Sequence, residues 1–467
     1  MLEQLIDTLK YHHRQALICI VTLPGWAYIA FYAGLVVLAA RFLSKFSFVN
    51  VVKTIEPINS IQFSTDEGPI SFSELVKQIP EFRTGAWSLM NPFLFHGHLQ
   101  TMYAGIRRFR FVDRIYFGRE ILTFDDGAQV SLDRMISKDK FLDGSLKEPQ
   151  TSVLPKSTRL LTTAERKELD ESSKPILLGL HGLSGSSAES YIRCIFSRMP
   201  EFECMVLNSR GCGKTVLSTP TLFNGFWTYD VRETIKILRA RSPNRKIYAM
   251  GFSLGASILA NYIGQSGENS GLDLAILLAN PWDLSQSSYT MDSDFICTNV
   301  YSPIMTVPLK QLLLTNYDKL KEDPNFRKLF AEQFKDVYYL VDFDNAFTSR
   351  LFGFNCASEY YRSGSSITKV FNIRTPTLAI NSMDDPIVGG CRQTLPIRET
   401  LLQPYLVSVC TSLGGHLGWF KWNNERWYAA PLSRFISDFH RRSLGAATVD
   451  PAALPWKRKV VDDTLVH

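Results

Sequence analysis

The chain has 467 residues, of which 45% are hydrophobic and 21% are charged, a balance typical of a globular protein rather than a disordered one. Its net charge of +6 comes from 51 basic and 45 acidic residues without a long basic run, which argues against nucleic-acid binding because that function normally needs a concentrated basic patch. Eight cysteines without a C-x-x-C pair argue against a zinc ribbon or a thioredoxin-type site and are typical of core residues in a reducing compartment.

The first predicted element is an apolar segment, Leu17 to Ala40, that contains no charged residue. As a helix it would be about 36 Å long, enough to cross a bilayer core of ~30 Å. A signal peptide or a buried helix is usually shorter, and Pro24 with Gly25 would kink a helix or form a shallow hairpin. We therefore expect a membrane anchor region over residues 1–50 and a single-pass or monotopic protein at the endoplasmic reticulum or lipid droplet.

Residues 51–170 are expected to form an N-terminal extension with the first strands. Apolar residues from Phe109 to Phe124 and from Gln129 to Leu132 predict strands, and Asp126-Gly127 between the two runs is typical of a hairpin turn. Residues 137–174 are polar and predict a surface excursion between early strands.

From Lys174 onward, short apolar runs alternate with helical patterns such as Tyr229 to Arg241. The predicted strands are Pro175 to Leu180, Cys204 to Asn208, Lys246 to Met250, Leu274 to Leu278, Thr377 to Ile380 and Val407 to Thr411. Apolar strands with intervening helices predict a mostly parallel sheet covered on both faces, with its active groups at the carboxyl ends of the strands. We expect this α/β domain over residues 171–445, followed by a tail over residues 446–467.

A stretch from about residue 282 to residue 373 interrupts this alternation. It is too long for a loop, and it contains helical patterns such as Leu309 to Leu320. We interpret it as an inserted cap or lid over the active site. Its many Phe and Tyr side chains line an acyl pocket or form the core of the insert itself, and the sequence leaves both alternatives open.

The segment Gly251-Phe252-Ser253-Leu254-Gly255 matches the pattern G-x-S-x-G between an apolar strand and a helix, which is the context of a nucleophile elbow. Glycines two positions before and after the serine avoid clashes in the sharp turn, and the helix N-terminus stabilises developing negative charge. Ser253 is therefore the predicted nucleophile. The alternative is a capping serine in a glycine turn.

A serine hydroxyl needs a base at neutral pH, and in the α/β-hydrolase fold the triad order is Ser, acid, His. His416 lies in a glycine-rich loop after the last predicted strand and is the predicted base, because the other histidines fit that position worse. Asp384 and Asp385 follow the preceding strand and are the candidates for the acid. We choose Asp385, because Asp-Pro-Ile-Val is the usual continuation after the acid, and we keep Asp384 as the alternative.

The oxyanion hole of such a site needs two backbone N–H donors. We expect them from Leu254, directly after the nucleophile, and from Leu183, in the loop after an early strand.

Two further patterns do not predict a cofactor or a metal. Asn208 to Thr215 is close to a phosphate-binding loop, but Asn208 replaces its first glycine, so we interpret it as a loop that turns back from a strand edge. His96 and His98 would share one face of a strand, yet no third ligand is evident.

Several short motifs occur together in the chain. They are Asn91-Pro92, Gly97-His98-Leu99-Gln100-Thr101, His181-Gly182-Leu183, Gly185-Ser186-Ser187, Asn208-Ser209-Arg210-Gly211-Cys212, Gly251 to Gly255, Asp384-Asp385-Pro386 and Gly414-Gly415-His416-Leu417-Gly418. With them the chain resembles the AB hydrolase superfamily branch of bacterial YheT-type proteins, animal ABHD-type lipid hydrolases and fungal medium-chain fatty acid ethyl ester synthase/esterases. It looks most similar to the fungal esterases, chiefly through Asn208 to Cys212.

The resemblance implies that Ser253, Asp385 and His416 form the charge-relay triad of a serine carboxylic ester hydrolase. It implies acyl-ester substrates, such as medium-chain ethyl esters or monoacylglycerols, and in some members acyl transfer from acyl-CoA to an alcohol such as ethanol. No H-x-x-x-x-D acyltransferase motif is present, so transfer would use the same acyl-serine. The alternative is a non-catalytic, membrane-bound lipid-binding protein on a hydrolase fold, and it is disfavoured because such proteins typically lose a triad residue.

Overall fold

A large mixed sheet forms the centre of the described part of the chain. The computed structural model describes residues 48–66, 68–107, 109, 111–147, 154–390, 393–442, 448 and 454. The strands within these ranges are β1 (Val49–Ile55), β2 (Gln62–Thr65), β3 (Gly68–Ser71), β4 (Trp87–Leu89), β5 (Tyr116–Thr123), β6 (Gln129–Ile136), β7 (Thr158–Leu160), β8 (Ile176–Leu180), β9 (Glu203–Asn208), β10 (Ile247–Phe252), β11 (Leu274–Leu278), β12 (Thr377–Ser382) and β13 (Leu406–Thr411). Strands β2 and β3 pair separately, and the other 11 described strands form one sheet in the order β4-β1-β13-β12-β11-β10-β8-β9-β6-β5-β7.

The middle of this sheet is parallel. Strands β13, β12, β11, β10, β8 and β9 run in the same direction, and every residue in them is buried. Burial on both faces explains why their sequences are continuous apolar runs rather than alternating ones. The predicted strands correspond to these six, with ends that differ by at most two residues, and the predicted mostly parallel α/β sheet is confirmed.

Antiparallel strands extend both edges of the sheet. Strand β1 pairs with β13 and β4 on one side, while β6 pairs with β9 and β5 on the other. The β5–β6 hairpin turns through Asp126-Gly127 as predicted, and Gly127 has a φ of 77°, which suits glycine. The strand expected from Phe109 is wrong at its start: β5 begins at Tyr116, and Phe109 has a φ of 41°, which a strand does not allow.

Helices connect the strands and form the interval between β11 and β12. Within the described ranges they are α1 (Phe72–Lys77), α2 (Gly97–Ile106), α3 (Lys138–Lys147), α4 (Thr163–Asp170), α5 (Ser190–Phe196), α6 (Tyr229–Arg241), α7 (Leu254–Ser266), α8 (Leu284–Ser293), α9 (Ser302–Thr315), α10 (Tyr317–Leu320), α11 (Pro324–Gln333), α12 (Leu340–Phe343), α13 (Ser349–Leu351), α14 (Ala357–Gly364), α15 (Ile397–Leu402) and α16 (Ala429–Arg442). Helix α6 has its predicted bounds. Helices α8 to α14 lie where the sequence predicts a cap, and the domain limits themselves stay predictions.

The polar stretch over residues 137–174, predicted as a surface excursion, contains the regular elements α3, β7 and α4. Helix α4 starts with a capping box, in which Glu165 N–H donates to Thr162 Oγ1 at 3.2 Å and Thr162 N–H donates to the Glu165 carboxylate at 2.9 Å. These bonds satisfy N–H groups that a helix start otherwise leaves free. The Thr-x-x-Glu pattern in the sequence is typical of such a helix start and could have predicted it.

A buried polar network joins strands β5, β6 and β9 to the loop that follows β8. Asp133 accepts two hydrogen bonds from the Arg119 guanidinium, at 2.7 and 2.8 Å, and one from the Asn208 amide at 2.9 Å. Ser187 donates its hydroxyl to Asp133 at 2.5 Å and its N–H to Asn208 at 2.9 Å. Asn208, the residue that breaks the phosphate-loop pattern, therefore anchors the loop that follows β8.

The expected membrane segment, Leu17 to Ala40, lies outside the described residues. Within the ranges that the structure describes, no helix combines the length and the apolarity that a bilayer crossing requires. This finding contradicts the prediction of a single-pass membrane protein. The localisation at the endoplasmic reticulum or lipid droplet, which depended on that prediction, is not supported either.

We predict that Asp133→Ala lowers the free energy of unfolding by about 3–5 kcal/mol, because it leaves the buried Arg119 guanidinium without its carboxylate partner. Urea unfolding followed by tryptophan fluorescence measures the effect. Asp125→Ala is the matched control, since the Asp125 side chain is 90% exposed, and we expect a change within about 0.5 kcal/mol. Equal stability of the two variants would contradict the structural role of the network.

Candidate active site

Ser253 occupies a sharp turn between β10 and α7. Its φ of 53° and ψ of −119° lie in a region that non-glycine residues rarely adopt, and its N–H donates to the carbonyl of Leu278 at 2.9 Å. A Cβ at Gly251 would come within 2.5 Å of the following helix, and a Cβ at Gly255 would collide with the carbonyl of Leu180. The G-x-S-x-G pattern is therefore required by the close approach of the backbone.

The structure brings the three predicted triad side chains together from three strand ends. His416 Nε2 lies 2.7 Å from Ser253 Oγ, and His416 Nδ1 lies 2.8 Å from Asp385 Oδ2. Asp385 is 3% exposed, and its Oδ1 accepts the N–H groups of Ile387 at 2.8 Å and Val388 at 3.2 Å. These bonds fix the carboxylate that orients the imidazole, an arrangement suited to attack of the serine oxygen on an ester carbonyl.

Asp384, the alternative acid, has a different environment. Its Oδ1 accepts the N–H groups of Gly414 at 3.0 Å and Gly415 at 2.9 Å. Of the two neighbouring carboxylates, Asp385 is the one that bonds to the His416 imidazole. Asp384 instead contacts the backbone of the loop that carries this histidine.

The two predicted oxyanion donors lie in segments next to the nucleophile. Leu254 opens helix α7, and the position of a Cβ at Gly182, beside Leu183, would be 3.4 Å from Ser253 Cβ. Tyr191 Oη accepts the N–H of Gly182 at 3.0 Å and thereby holds this loop. Among the described residues, the N–H groups of Leu183 and Leu254 have no protein acceptor, as two donors reserved for an oxyanion require. No local motif marked Tyr191 in the sequence.

The loop is also held by His181, which is buried. Burial lowers the pKa of His181 to about 4, so its ring is neutral near pH 7. Its Nε2 accepts the N–H of Ser209 at 3.0 Å, and its Nδ1 lies 2.7 Å from the carbonyl of Gly182. Only a neutral ring with the proton on Nδ1 satisfies both contacts, so His181 links the loops that follow β8 and β9.

A mostly apolar cavity begins at Ser253 and extends among the helices between β11 and β12. Its empty volume is about 1050 Å³, including the open space at its mouth. The apolar side chains that line it include Leu222, Leu284, Met291, Met305, Leu309 and Phe343. Phe343 and Tyr360 both face this cavity and also belong to the apolar clusters of the helices. Aromatic residues of this interval therefore contribute to its core as well as to the cavity wall, and an acyl pocket stays a prediction.

One carboxyl group stands out in the apolar wall of the cavity. Asp344 accepts hydrogen bonds from Thr348 Oγ1 and Tyr361 Oη, both at 2.7 Å. Burial raises the pKa of the Asp344 carboxyl to about 6, because the charged form loses its hydration and has no cationic partner among the described residues. Nothing in the local sequence pattern marks this residue.

Within the described ranges, no group of three or more His, Cys, Asp or Glu side chains is arranged to hold a metal ion. His96 and His98 do not lie on a strand, as the sequence suggested, because His96 caps helix α2 and His98 is its second residue. Their rings stack with centroids 5.1 Å apart, and His98 Nδ1 lies 3.1 Å from Tyr301 Oη.

Residues 175–403 match a protein-family profile described as alpha/beta hydrolase fold. A Saccharomyces cerevisiae protein named monoacylglycerol lipase is 36% identical over 392 residues, which cover 79% of this chain and 85% of the relative. The yeast medium-chain fatty acid ethyl ester synthase/esterase 2 is 34% identical over 408 residues, 79% of this chain and 90% of that protein. The Picea glauca embryogenesis-associated protein EMB8 is 29% identical over 366 residues, with 73% and 72% coverage.

We predict that Asp385→Asn lowers kcat for 4-nitrophenyl octanoate by about 10³–10⁴-fold with a small change in KM, because an amide at this position favours the wrong imidazole tautomer. Initial rates over a range of ester concentrations measure both constants. Retention of kcat to within tenfold would contradict the assignment of Asp385 as the triad acid.

We predict that Asp344→Asn stabilises the protein more at pH 7.5 than at pH 4.5. The pKa of Asp344 in the folded protein, about 6, exceeds the ordinary value of 3.8. The folded state therefore disfavours the charged carboxyl, and the protein loses stability as the pH rises from 3.8 to about 6. Since asparagine mimics the protonated acid, the difference in unfolding free energy between variant and wild type should rise by about 2 kcal/mol from pH 4.5 to pH 7.5. Urea unfolding at both pH values tests this, and a pH-independent difference would contradict it.

Proposed function

The chain belongs to the α/β-hydrolase family, and we propose that it is a serine carboxylic ester hydrolase that acts on lipophilic acyl esters. The observation that carries this proposal is the hydrogen-bonded chain from Asp385 through His416 to Ser253 at an apolar cavity. The names of the two yeast relatives, a monoacylglycerol lipase and an ethyl ester synthase/esterase, support medium-chain esters and monoacylglycerols as the substrate class.

In the first half-reaction, His416 Nε2 takes the proton of the Ser253 hydroxyl, and Ser253 Oγ attacks the ester carbonyl carbon. The carbonyl oxygen becomes an oxyanion that accepts hydrogen bonds from the N–H groups of Leu183 and Leu254. Asp385 holds the imidazole in the required tautomer and stabilises the imidazolium. The C–O bond to the alcohol then breaks, and the alcohol leaves with the proton from His416.

In the second half-reaction, His416 takes a proton from water, and the resulting hydroxide attacks the acyl carbon bound to Ser253. The acyl–oxygen bond breaks, Ser253 recovers its proton from the imidazolium, and the fatty acid is released. We propose alcoholysis as a second outcome, in which an alcohol such as ethanol replaces water and an ester forms. Acyl-CoA would then serve as acyl donor in the first half-reaction, in which the C–S bond breaks and CoA leaves as a thiol with the proton from His416. The apolar lining of the cavity and the name of the second yeast relative support this activity.

A non-catalytic lipid-binding protein is the alternative from another class. Such a protein has no need of a strained serine that bonds to a histidine–carboxylate pair, or of unoccupied N–H donors beside it. The presence of all these features in one place favours the enzyme.

We expect purified wild-type protein to release octanoate from octanoyl esters and Ser253→Ala to lose at least about 10⁴-fold in kcat. Ser257→Ala is the matched control, because this serine lies one turn further along α7 and its buried hydroxyl makes no hydrogen bond within the described part of the chain. Gas chromatography after incubation with octanoyl-CoA and ethanol tests the second activity through ethyl octanoate. Equal ester turnover by wild type and Ser253→Ala would exclude Ser253 as the nucleophile.

A further inference from the structure

The loop that carries His416 is held by side chains at three consecutive backbone N–H groups. Asp384 Oδ1 accepts the N–H of Gly414 at 3.0 Å and that of Gly415 at 2.9 Å. Thr101 Oγ1 accepts the N–H of His416 itself at 2.9 Å. Since none of these N–H groups bonds to a backbone carbonyl in the described part of the chain, the two side chains determine where this piece of backbone lies.

Both acceptors are themselves anchored. Ser382 donates its hydroxyl to Asp384 Oδ1 at 2.5 Å, and Thr101 donates its own hydroxyl to the carbonyl of Gly97 at 2.7 Å. A Cβ at Gly97 would collide with the carbonyl of Asp384, and a Cβ at Gly415 would collide with the carbonyl of Gly97. The first turn of α2, the turn that carries the acid and the histidine loop are therefore in direct contact, without space for a methyl group.

Gln100 extends these contacts to the other end of the loop. It is fully buried, its Oε1 accepts the N–H of Phe420 at 2.8 Å, and its Nε2 donates to the carbonyl of Leu94 at 2.8 Å. The loop between these contacts is irregular, because Gly415, Leu417 and Trp419 have positive φ values. Helix α2 thus holds the loop on both sides of the imidazole.

The triad geometry depends on the position of this backbone. The imidazole must reach Ser253 at 2.7 Å on one side and Asp385 at 2.8 Å on the other. A displacement of the His416 backbone by about 1 Å would lengthen one of these bonds and can cost about 10²-fold in rate.

We propose that Asp384 and Thr101 are positioning residues for His416, and this inference rests on the proposed ester hydrolase function. Their task is to hold the N–H groups of Gly414, Gly415 and His416, so that the imidazole lies between nucleophile and acid. An acceptor oxygen is needed at residue 384, and a negative charge is not. The Gly97 to Thr101 motif, which has no role in the chemical steps, acts as part of this active-site scaffold.

Two pairs of variants test the proposal on 4-nitrophenyl octanoate, at a temperature where every variant is folded. Asp384→Ala removes the acceptor and should lower kcat by about 100-fold with KM nearly unchanged, whereas Asp384→Asn keeps an acceptor oxygen and should stay within about fivefold of wild type. Thr101→Val, which lacks the acceptor hydroxyl, should lower kcat by about tenfold, whereas Thr101→Ser, which keeps it, should have nearly the kcat of wild type. Asp438→Ala removes a half-buried carboxylate on α16 that pairs with Arg441; it is the control and should match wild type.

Hydrogen exchange of the peptide that contains Gly414 to Trp419 provides a second readout, and it should be faster in Asp384→Ala than in wild type. Faster exchange with an unchanged kcat would overturn the positioning role and leave a structural one. Asp384→Asn as inactive as Asp384→Ala would also overturn it, because the charge would then be the requirement. Absence of ester turnover by wild type would instead overturn the proposed function, and with it the catalytic role of these contacts.

Discussion

The hydrogen bonds of the His416 imidazole to Ser253 and Asp385 require three loops to meet at one edge of the sheet. The three residues follow strands β10, β12 and β13, and these strands lie within a span of four neighbours in the parallel part of the sheet. Because parallel strands end at the same edge, three loops that are far apart in the chain meet there. The buried apolar strands are what makes this edge rigid enough to keep two hydrogen bonds at 2.7 and 2.8 Å.

Holding Ser253, the proposed nucleophile, and the N–H donors beside it in place requires unfavourable local features, which the surroundings offset. Ser253 adopts a strained backbone conformation, the glycines beside it cannot carry side chains, and Asp385 and His181 are buried polar groups. The two buried polar groups are stabilised by hydrogen bonds. Asp385 accepts backbone N–H groups, and His181 accepts the N–H of Ser209. The network around Asp133 also holds the loop after β8. The same buried residues therefore contribute both to the stability of the sheet edge and to the geometry of the site.

Local patterns predicted the parts of the molecule that arise from local constraints. Apolar runs identified the central strands, and the G-x-S-x-G pattern placed Ser253 at a turn, because sterics at a strand–helix junction require that spacing. The contact of Thr101 with His416 could not be predicted this way, although Thr101 belongs to one of the short motifs, because the two residues lie 315 positions apart in the chain. The burial of Asp344 depends on a cavity that forms only in the folded chain. The positive φ of Phe109 was not predicted either, because the apolar residues around it are typical of a strand.

The most direct test of the triad is the reaction with a fluorophosphonate, which forms a stable bond only with an activated serine. Intact-mass and peptide mass spectrometry of wild type, Ser253→Ala and His416→Ala would locate the label and give its rate. We expect a single adduct on Ser253 in wild type, none in Ser253→Ala, and labelling slowed by at least about 100-fold in His416→Ala. A label on another residue, or equal labelling of Ser253→Ala, would contradict the assignment of Ser253 as the activated nucleophile.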